Sequence, residues 1–213
     1  MSEELKKLRD NHKDFSSDRL IEPTDSPFDL FSIWFDEAVK NNELESNALC
    51  LSTVSSNGIP SSRIVYLKEL VEESFVFYTN YASQKGEELA LNPMASMLFF
   101  WPKLQRQVRI TGSVSKISEE DSDAYFASRP RESQLGAWAS YQSEILADRN
   151  ELFSRITKLE QQFKDTVPRP PHWGGYALKP SELEFWQGQP SRLHDRLVYI
   201  KTSDSWKVQR KNP

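Results

Sequence analysis

The sequence predicts an antiparallel β-barrel with peripheral helices, and three observations carry that prediction. From Ala48 the apolar period changes from helical spacing to two. Strand-like runs outnumber helical ones, and Asn57-Gly58 joins two of them as a hairpin. Many hairpin-linked strands in a chain of 213 residues suit one closed sheet better than separate layers.

In chain order, residues 1 to about 26 are polar and charge-rich and read as a mobile arm or lid, where Leu5, Leu8 and Phe15 can line one side of a short helix. Residues 27–213 form the domain proper. Ser26 and Pro27 start a helix in which Phe28, Phe31, Trp34, Phe35, Ala38 and Val39 recur at helical spacing. Strands follow at 48–55, 61–68 and 75–80. A short helix from Ser83 to Asn92 comes next, capped by Ser83 and stopped by Pro93. The run 94–101 is almost wholly apolar and reads as a strand buried on both faces, whereas 107–115 alternates, with Val108, Ile110 and Val114 on one side. Helices are expected from Glu119 to Ala127, ended by Arg129-Pro130, and from about Ala147 to Lys164. Strands return at 174–179, 183–186, 196–201 and 206–210.

Composition narrows the function. A net charge of −4 speaks against a general polyanion binder, so nucleic acid is not an expected partner. No apolar run is long enough for a bilayer span and the N-terminus has no signal-peptide core, so a soluble, cytoplasmic protein is expected. Cys50 is the only cysteine, and His12, His172 and His194 lack metal-ligand spacing, so no metal is expected. Neither a dinucleotide fingerprint, a P-loop nor a serine-hydrolase elbow is present.

Three stretches could carry chemistry. In 183–196, a strand would put Arg192, His194 and Arg196 on one face, with Leu193 and Asp195 on the other. Two guanidiniums around an imidazole suit a small anion, although an exposed edge with scattered charges reads the same way. In 125–138, Tyr125 and Arg129 end a helix and Arg131 and Ser133 sit in the following turn; these arginines either bind phosphate or neutralise the helix dipole. The third set is Arg63, Lys68, Tyr78, Thr79 and Lys85, which on adjacent strands would suit a flat ring carrying a phosphate.

Taken together these motifs closely resemble the pyridoxine/pyridoxamine 5′-phosphate oxidase family. The run from Glu184 to Arg196 is similar to the family signature. R-I-V-x-L-K at 63–68, F-Y-T-N at 77–80, R-Q-V at 106–108, S-R-P-R-x-S-Q at 128–134, G-A-W at 136–138 and Q-S at 142–143 agree in order and spacing. The resemblance runs from about residue 27 to the C-terminus. It implies a split antiparallel β-barrel homodimer, with FMN at the subunit interface and a dimerisation and substrate region toward the C-terminus. It also implies FMN contacts from Arg63, Ile64, Val65, Tyr66, Lys68, Tyr78, Thr79, Lys85, Gln107, Gln142, Ser143, Trp186 and Arg196. Substrate phosphate would meet Lys68, Tyr125, Arg129 and Ser133, and Arg192 and His194 would act at the pyridine ring as the catalytic pair.

The reaction so implied is oxidation of pyridoxamine or pyridoxine 5′-phosphate to pyridoxal 5′-phosphate, with O2 as acceptor and H2O2 as co-product, in vitamin B6 salvage. The alternative is a non-catalytic flavin or pyridoxal-phosphate binding protein on the same barrel. Three features depart from the pattern. Gln84 stands where the family commonly has Arg; Arg9 fits the family's arm but His12 replaces its Tyr; and Arg63 and Lys68 should face opposite sides of a regular strand.

Overall fold

The computed structural model describes residues 2–11 and 14–213, so His12 lies outside the described residues. Contacts divide the chain into a terminal unit (1–46, 98–110 and 182–213) and a central unit (47–97 and 111–181). Among the described residues, nine strands and six α-helices follow one another along it. The strands are β1 (Ala48–Val54), β2 (Pro60–Tyr66), β3 (Glu69–Val71), β4 (Ser74–Asn80), β5 (Met94–Trp101), β6 (Arg106–Lys116), β7 (Trp173–Gln187), β8 (Asp195–Lys201) and β9 (Trp206–Arg210). The helices are α1 (Glu3–Asp10), α2 (Pro27–Lys40), α3 (Gln84–Leu91), α4 (Glu119–Ser128), α5 (Arg131–Ala139) and α6 (Arg149–Gln162). The strands hydrogen-bond in the order β2-β1-β5-β6-β7-β4-β3, with β8 on β7 and β9 on β8. Pairs β1–β2, β3–β4, β4–β7, β7–β8 and β8–β9 are antiparallel, in keeping with the predicted sheet-dominated class.

In the terminal unit, α2 starts as its sequence dictates: the Ser26 hydroxyl accepts from the Phe28 amide and Pro27 occupies the first turn. Phe31 packs edge-on to Phe99 at 5.2 Å and Trp34 to Phe185 at 5.2 Å, while Val39 is exposed. Residues 14–26 run against β7–β9. The Ile21 amide donates to Asp195 Oδ2, the Thr24 amide to Tyr199 Oη, and Gln189 Nε2 to the Arg19 carbonyl. In α1, Leu5 and Leu8 are exposed, and Phe15 lies beyond the helix.

In the central unit, residues 55–59 close the β1–β2 hairpin, with Val54 opposite Pro60. α4, α5 and the segment leading into β7 meet around Phe126, Leu135, Val167 and Trp173, with Leu159 and Phe163 packed beside them. α3 begins at Ser83, but the Ser83 hydroxyl does not cap it. That hydroxyl donates to the Asn80 carbonyl at 2.7 Å and accepts from Lys85 Nζ at 2.9 Å.

Four further expectations need correction. Residues 131–139 are helical, so Arg131 and Ser133 open α5 instead of lying in a turn; Gln134 Nε2 ties the new helix to the α4 carbonyls of Phe126 and Ala127. The runs 174–179 and 183–186 belong to one 15-residue strand, β7. β5 buries only Ala95, Met97, Phe99 and Trp101, and leaves Met94 and Phe100 exposed. Finally, β8 begins at Asp195. Arg192 sits in a 3-10 turn (Pro190–Arg192) with φ of 61°, so Arg192, His194 and Arg196 do not share a strand face.

Gly86 fixes where α3 starts. A Cβ there would lie 2.0 Å from the Tyr81 carbonyl oxygen, a backbone atom and not the far end of a flexible side chain. Gly86→Ala is therefore expected to destabilise the fold by about 2 kcal/mol, as overpacking of a tight site does. Urea unfolding of the two proteins checks this, and equal midpoints would show that the approach is easily relieved.

Candidate active site

A cavity of about 980 Å³ opens in the central unit. Its walls include Arg63, Ile64, Val65, Tyr66, Lys68, Tyr78, Thr79, Lys85, Tyr125, Arg129, Ser133, Gln142 and Ser143. These residues come from β2 and the connection after it, the end of β4, α3, the end of α4, α5 and the loop after α5, so the structure gathers most of the sequence-predicted positions. The parity problem at Arg63 and Lys68 disappears, because β2 ends at Tyr66 and β3 starts at Glu69. The Leu67 amide donates to the Asn47 carbonyl and the Lys68 amide to the Val76 carbonyl, so alternation stops before Lys68.

The first cluster in the cavity is cationic. Lys85 is buried, and its Nζ donates to Ser83 Oγ and to Gln142 Oε1 at 3.0 Å. Burial, with the Arg63 charge adding to it, lowers the Lys85 ammonium to about 8, although Glu88 pulls the other way. Ser143 holds a left-handed backbone, φ 77°, and its hydroxyl accepts from the Gln84 amide at 3.2 Å. Strained backbone of this kind persists where the surroundings hold it, and it concentrates at ligand sites.

The second cluster is aromatic with one cation. The Tyr78 and Tyr125 rings stack at 3.8 Å, and Tyr78 stacks on Trp173 at 5.6 Å. Burial and the hydrogen bond from Tyr78 Oη to Glu69 Oε1 push the Tyr78 phenol well above its ordinary value, so it stays a donor. The Arg129 guanidinium lies over the Trp173 ring at 4.6 Å. Its Nη1 is buried without a hydrogen-bond partner, an expensive state unless an acceptor arrives.

Gln107, Trp186, Arg192, His194 and Arg196 belong to the terminal unit and do not line this cavity. There, Trp186 and His194 are in ring contact at 4.6 Å, and Phe15 meets His194 edge-on at 5.3 Å. The Gln189 amide donates to His194 Nδ1 at 3.1 Å, which leaves Nε2 as the protonated nitrogen of the neutral ring. Burial and the nearby Arg192 charge lower the His194 pKa against the opposing pull of Asp14, so the neutral ring is favoured. Arg196 is held by buried Glu184, its Nη2 reaching both carboxylate oxygens at 2.9 and 3.0 Å. Gln107 is half-buried on β6.

Sequence reasoning missed Trp173, which closes the aromatic wall, and Glu88, whose carboxylate lies behind Arg63. Trp173 stands opposite Asn80 in the β4–β7 register, a pairing across more than 90 residues with no local signal. Glu88 follows Gln84 by one helical turn, a spacing shared with many solvated carboxylates.

A family model described as "Pyridoxamine 5'-phosphate oxidase" matches residues 35–163, and another, "Pyridoxine 5'-phosphate oxidase C-terminal dimerisation region", matches 173–213. A pyridoxine/pyridoxamine 5′-phosphate oxidase of Ralstonia pickettii (strain 12J) is 58% identical over 189 residues, covering 88% of this chain and 89% of the relative. One from Paraburkholderia phytofirmans is 50% identical over 211 residues, covering 98% and 99%. Among solved structures, PhzG from Burkholderia lata 383, in complex with tetrahydrophenazine-1-carboxylic acid, superposes with a TM-score of 0.87 at 32% identity, covering 93% of this chain and 100% of that one. An FMN binding protein of Nostoc punctiforme, related to pyridoxamine 5′-phosphate oxidase, shares the fold at TM-score 0.71 and 18% identity, over 88% and 98% of the two chains. The chain belongs to the pyridoxamine 5′-phosphate oxidase family and has its split-barrel fold.

The lowered Lys85 gives a pH test of the cationic cluster. Below about pH 8 the ammonium is charged and attracts an anion; above it the charge is lost. If this cluster holds the FMN phosphate, as the family resemblance implies, affinity for FMN falls as pH rises from 7 to 9, and Lys85→Met removes that dependence. Titration of flavin fluorescence across this range decides it; an unchanged slope in the variant would assign the dependence elsewhere.

Proposed function

We propose that the protein oxidises pyridoxamine and pyridoxine 5′-phosphates to pyridoxal 5′-phosphate, with FMN as cofactor and O2 as final acceptor, yielding H2O2. The observation that carries this reading is the presence of two separate anion-ready clusters in one cavity. Arg63 and Lys85 are like charges brought together at a desolvation cost, and Arg129 has a buried donor without an acceptor. One cluster suits a flavin phosphate and the other a substrate phosphate, with stacked aromatic rings beside them.

Arg63, Lys85, Gln142 and Ser143 would hold the FMN phosphate, and Ile64, Val65, Tyr66, Lys68, Tyr78 and Thr79 would line the rest of the flavin site. Lys68, Tyr125, Arg129 and Ser133 would meet the substrate phosphate. Gln107, Trp186 and Arg196 are assigned as further flavin contacts. We also propose a homodimer with the flavin at the subunit interface, formed by residues 27–213, with residues 1–26 as an appended arm. Solubility in the cytoplasm belongs to the same reading; among the described residues no helix is long and apolar enough to cross a membrane.

When bound, FMN supplies the two-electron acceptor that amino-acid side chains lack. The chain's own part is orientation and charge. Cations at two phosphates fix two rings relative to each other, which converts an encounter into a positioned reaction. Arg192 would hold the substrate ring, and His194 would donate from Nε2 to a polar substituent. With Nδ1 engaged by the Gln189 amide, His194 acts as a donor in this arrangement.

The reading predicts that anaerobic pyridoxamine 5′-phosphate bleaches the protein-bound flavin and that air restores the colour with release of peroxide. A flavin that stays oxidised would favour the alternative of a non-catalytic flavin or pyridoxal-phosphate binding protein. Arg192→Ala is expected to lower turnover about 100-fold through loss of positioning. Arg129→Ala should raise KM about tenfold or more and leave FMN affinity unchanged, since removing one charge-assisted contact costs on that order. Steady-state kinetics with a parallel flavin titration separates the two.

A further inference from the structure

Behind the cationic cluster lies a carboxylate for which the reaction has no use. Glu88 is 5% exposed, on the buried side of α3. Its oxygens accept from Thr53 Oγ1, from Ser61 Oγ at 2.7 and 2.9 Å, and from Gln84 Nε2 at 2.9 Å. Both hydroxyls also accept from Arg63: Nη1 donates to Thr53 Oγ1, and Nη2 to Ser61 Oγ at 2.7 Å. The direct approach of Arg63 Nη2 to the carboxylate is longer, 3.4 Å. The guanidinium is thus joined to Glu88 mainly through two hydroxyl relays that fix its plane.

We propose that Glu88 is a positioning residue for the anion site: through Thr53 and Ser61 it sets the orientation in which Arg63 meets a phosphate. The inference rests on the reading that Arg63 and Lys85 hold the FMN phosphate. Three observations support it. Thr53 is fully buried, so its hydroxyl, receiving from Arg63 and donating to Glu88, has a defined direction. A buried carboxylate is retained only when its oxygens are satisfied, and here side-chain donors surround it. Burial alone would raise the Glu88 pKa, but the hydrogen bonds from Thr53, Ser61 and Gln84, with the Arg63 charge, lower it to about 2.

Gln84 belongs to the same network, through its side-chain hydrogen bond to Glu88. The Gln84 amide fills one acceptor site at 2.9 Å without a charge, so the relays to Arg63 keep the remainder. Glu88 also offsets part of the repulsion between Arg63 and Lys85.

The test uses the full chain stripped of flavin, titrated with FMN and, separately, with riboflavin, which has the ring system without the phosphate. Glu88→Ala is expected to weaken FMN binding about tenfold and leave riboflavin within about twofold, since a charge-assisted contact is lost only at the phosphate. The double variant Glu88→Ala/Arg63→Ala should bind FMN no more weakly than Arg63→Ala, because residues acting through one another are not additive. Additive losses, or equal losses for FMN and riboflavin, would overturn the proposal in favour of a general structural role. Glu88→Gln, which keeps an acceptor for the hydroxyls, guards against misfolding of the alanine variant. It should still weaken FMN about threefold, and tighter binding would show that the carboxylate acts only as an opposing charge. A parent protein that binds FMN no better than riboflavin would overturn the underlying reading as well. A parent that prefers FMN, with an indifferent Glu88→Ala variant, would overturn the positioning role alone.

Discussion

The register between β4 and β7 is the constraint on which the central unit depends. It sets Tyr78 opposite Gly175, Thr79 opposite Gly174 and Asn80 opposite Trp173. The paired glycines are a packing requirement. A Cβ at 174 would stand 2.2 Å from Tyr81 Oη, and one at 175 would crowd Ile117 and Tyr78. Because side chains are bare at those two positions, Tyr81 can hydrogen-bond to the Gly175 carbonyl and the Tyr78 ring can turn toward Tyr125 and Trp173. A slip of one residue would send Tyr78 and Trp173 to opposite faces and dismantle the aromatic wall.

From that wall the electrostatics follow. Aromatic rings cover Arg129 and burial desolvates Lys85, and the loss of water makes each cation more costly to keep and more responsive to an anion. The chain manages this cost unevenly. Arg63 receives a buried counter-charge through hydroxyls, Lys85 receives the neutral oxygens of Ser83 and Gln142, and Arg129 receives aromatic faces with one donor unmatched. In the terminal unit Arg196 takes the opposite course, with a buried carboxylate gripping it from both oxygens. A net charge of −4 averages over these arrangements and describes none of them.

How much of this was legible in the sequence depended on whether the governing signal was local. The α2 cap, the Asn57-Gly58 hairpin and the alternation of β6 rest on neighbouring residues and were readable. The family resemblance, carried by short motifs, collected the cavity residues of β2, β4 and α3, the end of α4, and the Gln142-Ser143 pair, because each motif is a short run. Arg192 misled for the same reason. Counting by twos assumes a strand, yet Ser191 and Arg192 take left-handed backbone angles that nothing in their side chains announces. Trp173 and Glu88 were hidden because their importance is defined by partners distant in the chain.

The error at β5 is informative about assembly. A run as apolar as 94–101 read as buried on both faces, and within one chain it buries only Ala95, Met97, Phe99 and Trp101. On β2 the same division recurs: Val65 is buried, while Ile64 is 62% exposed and Tyr66 is 40% exposed. Ile64 and Tyr66 also line the cavity, so the exposed face of β2 is continuous with the proposed flavin site. Apolar area of this kind is costly in water and is relieved when a second surface covers it. The exposed apolar side chains of β2 and β5 are the kind of surface that the proposed homodimer, with its flavin at the interface, would cover.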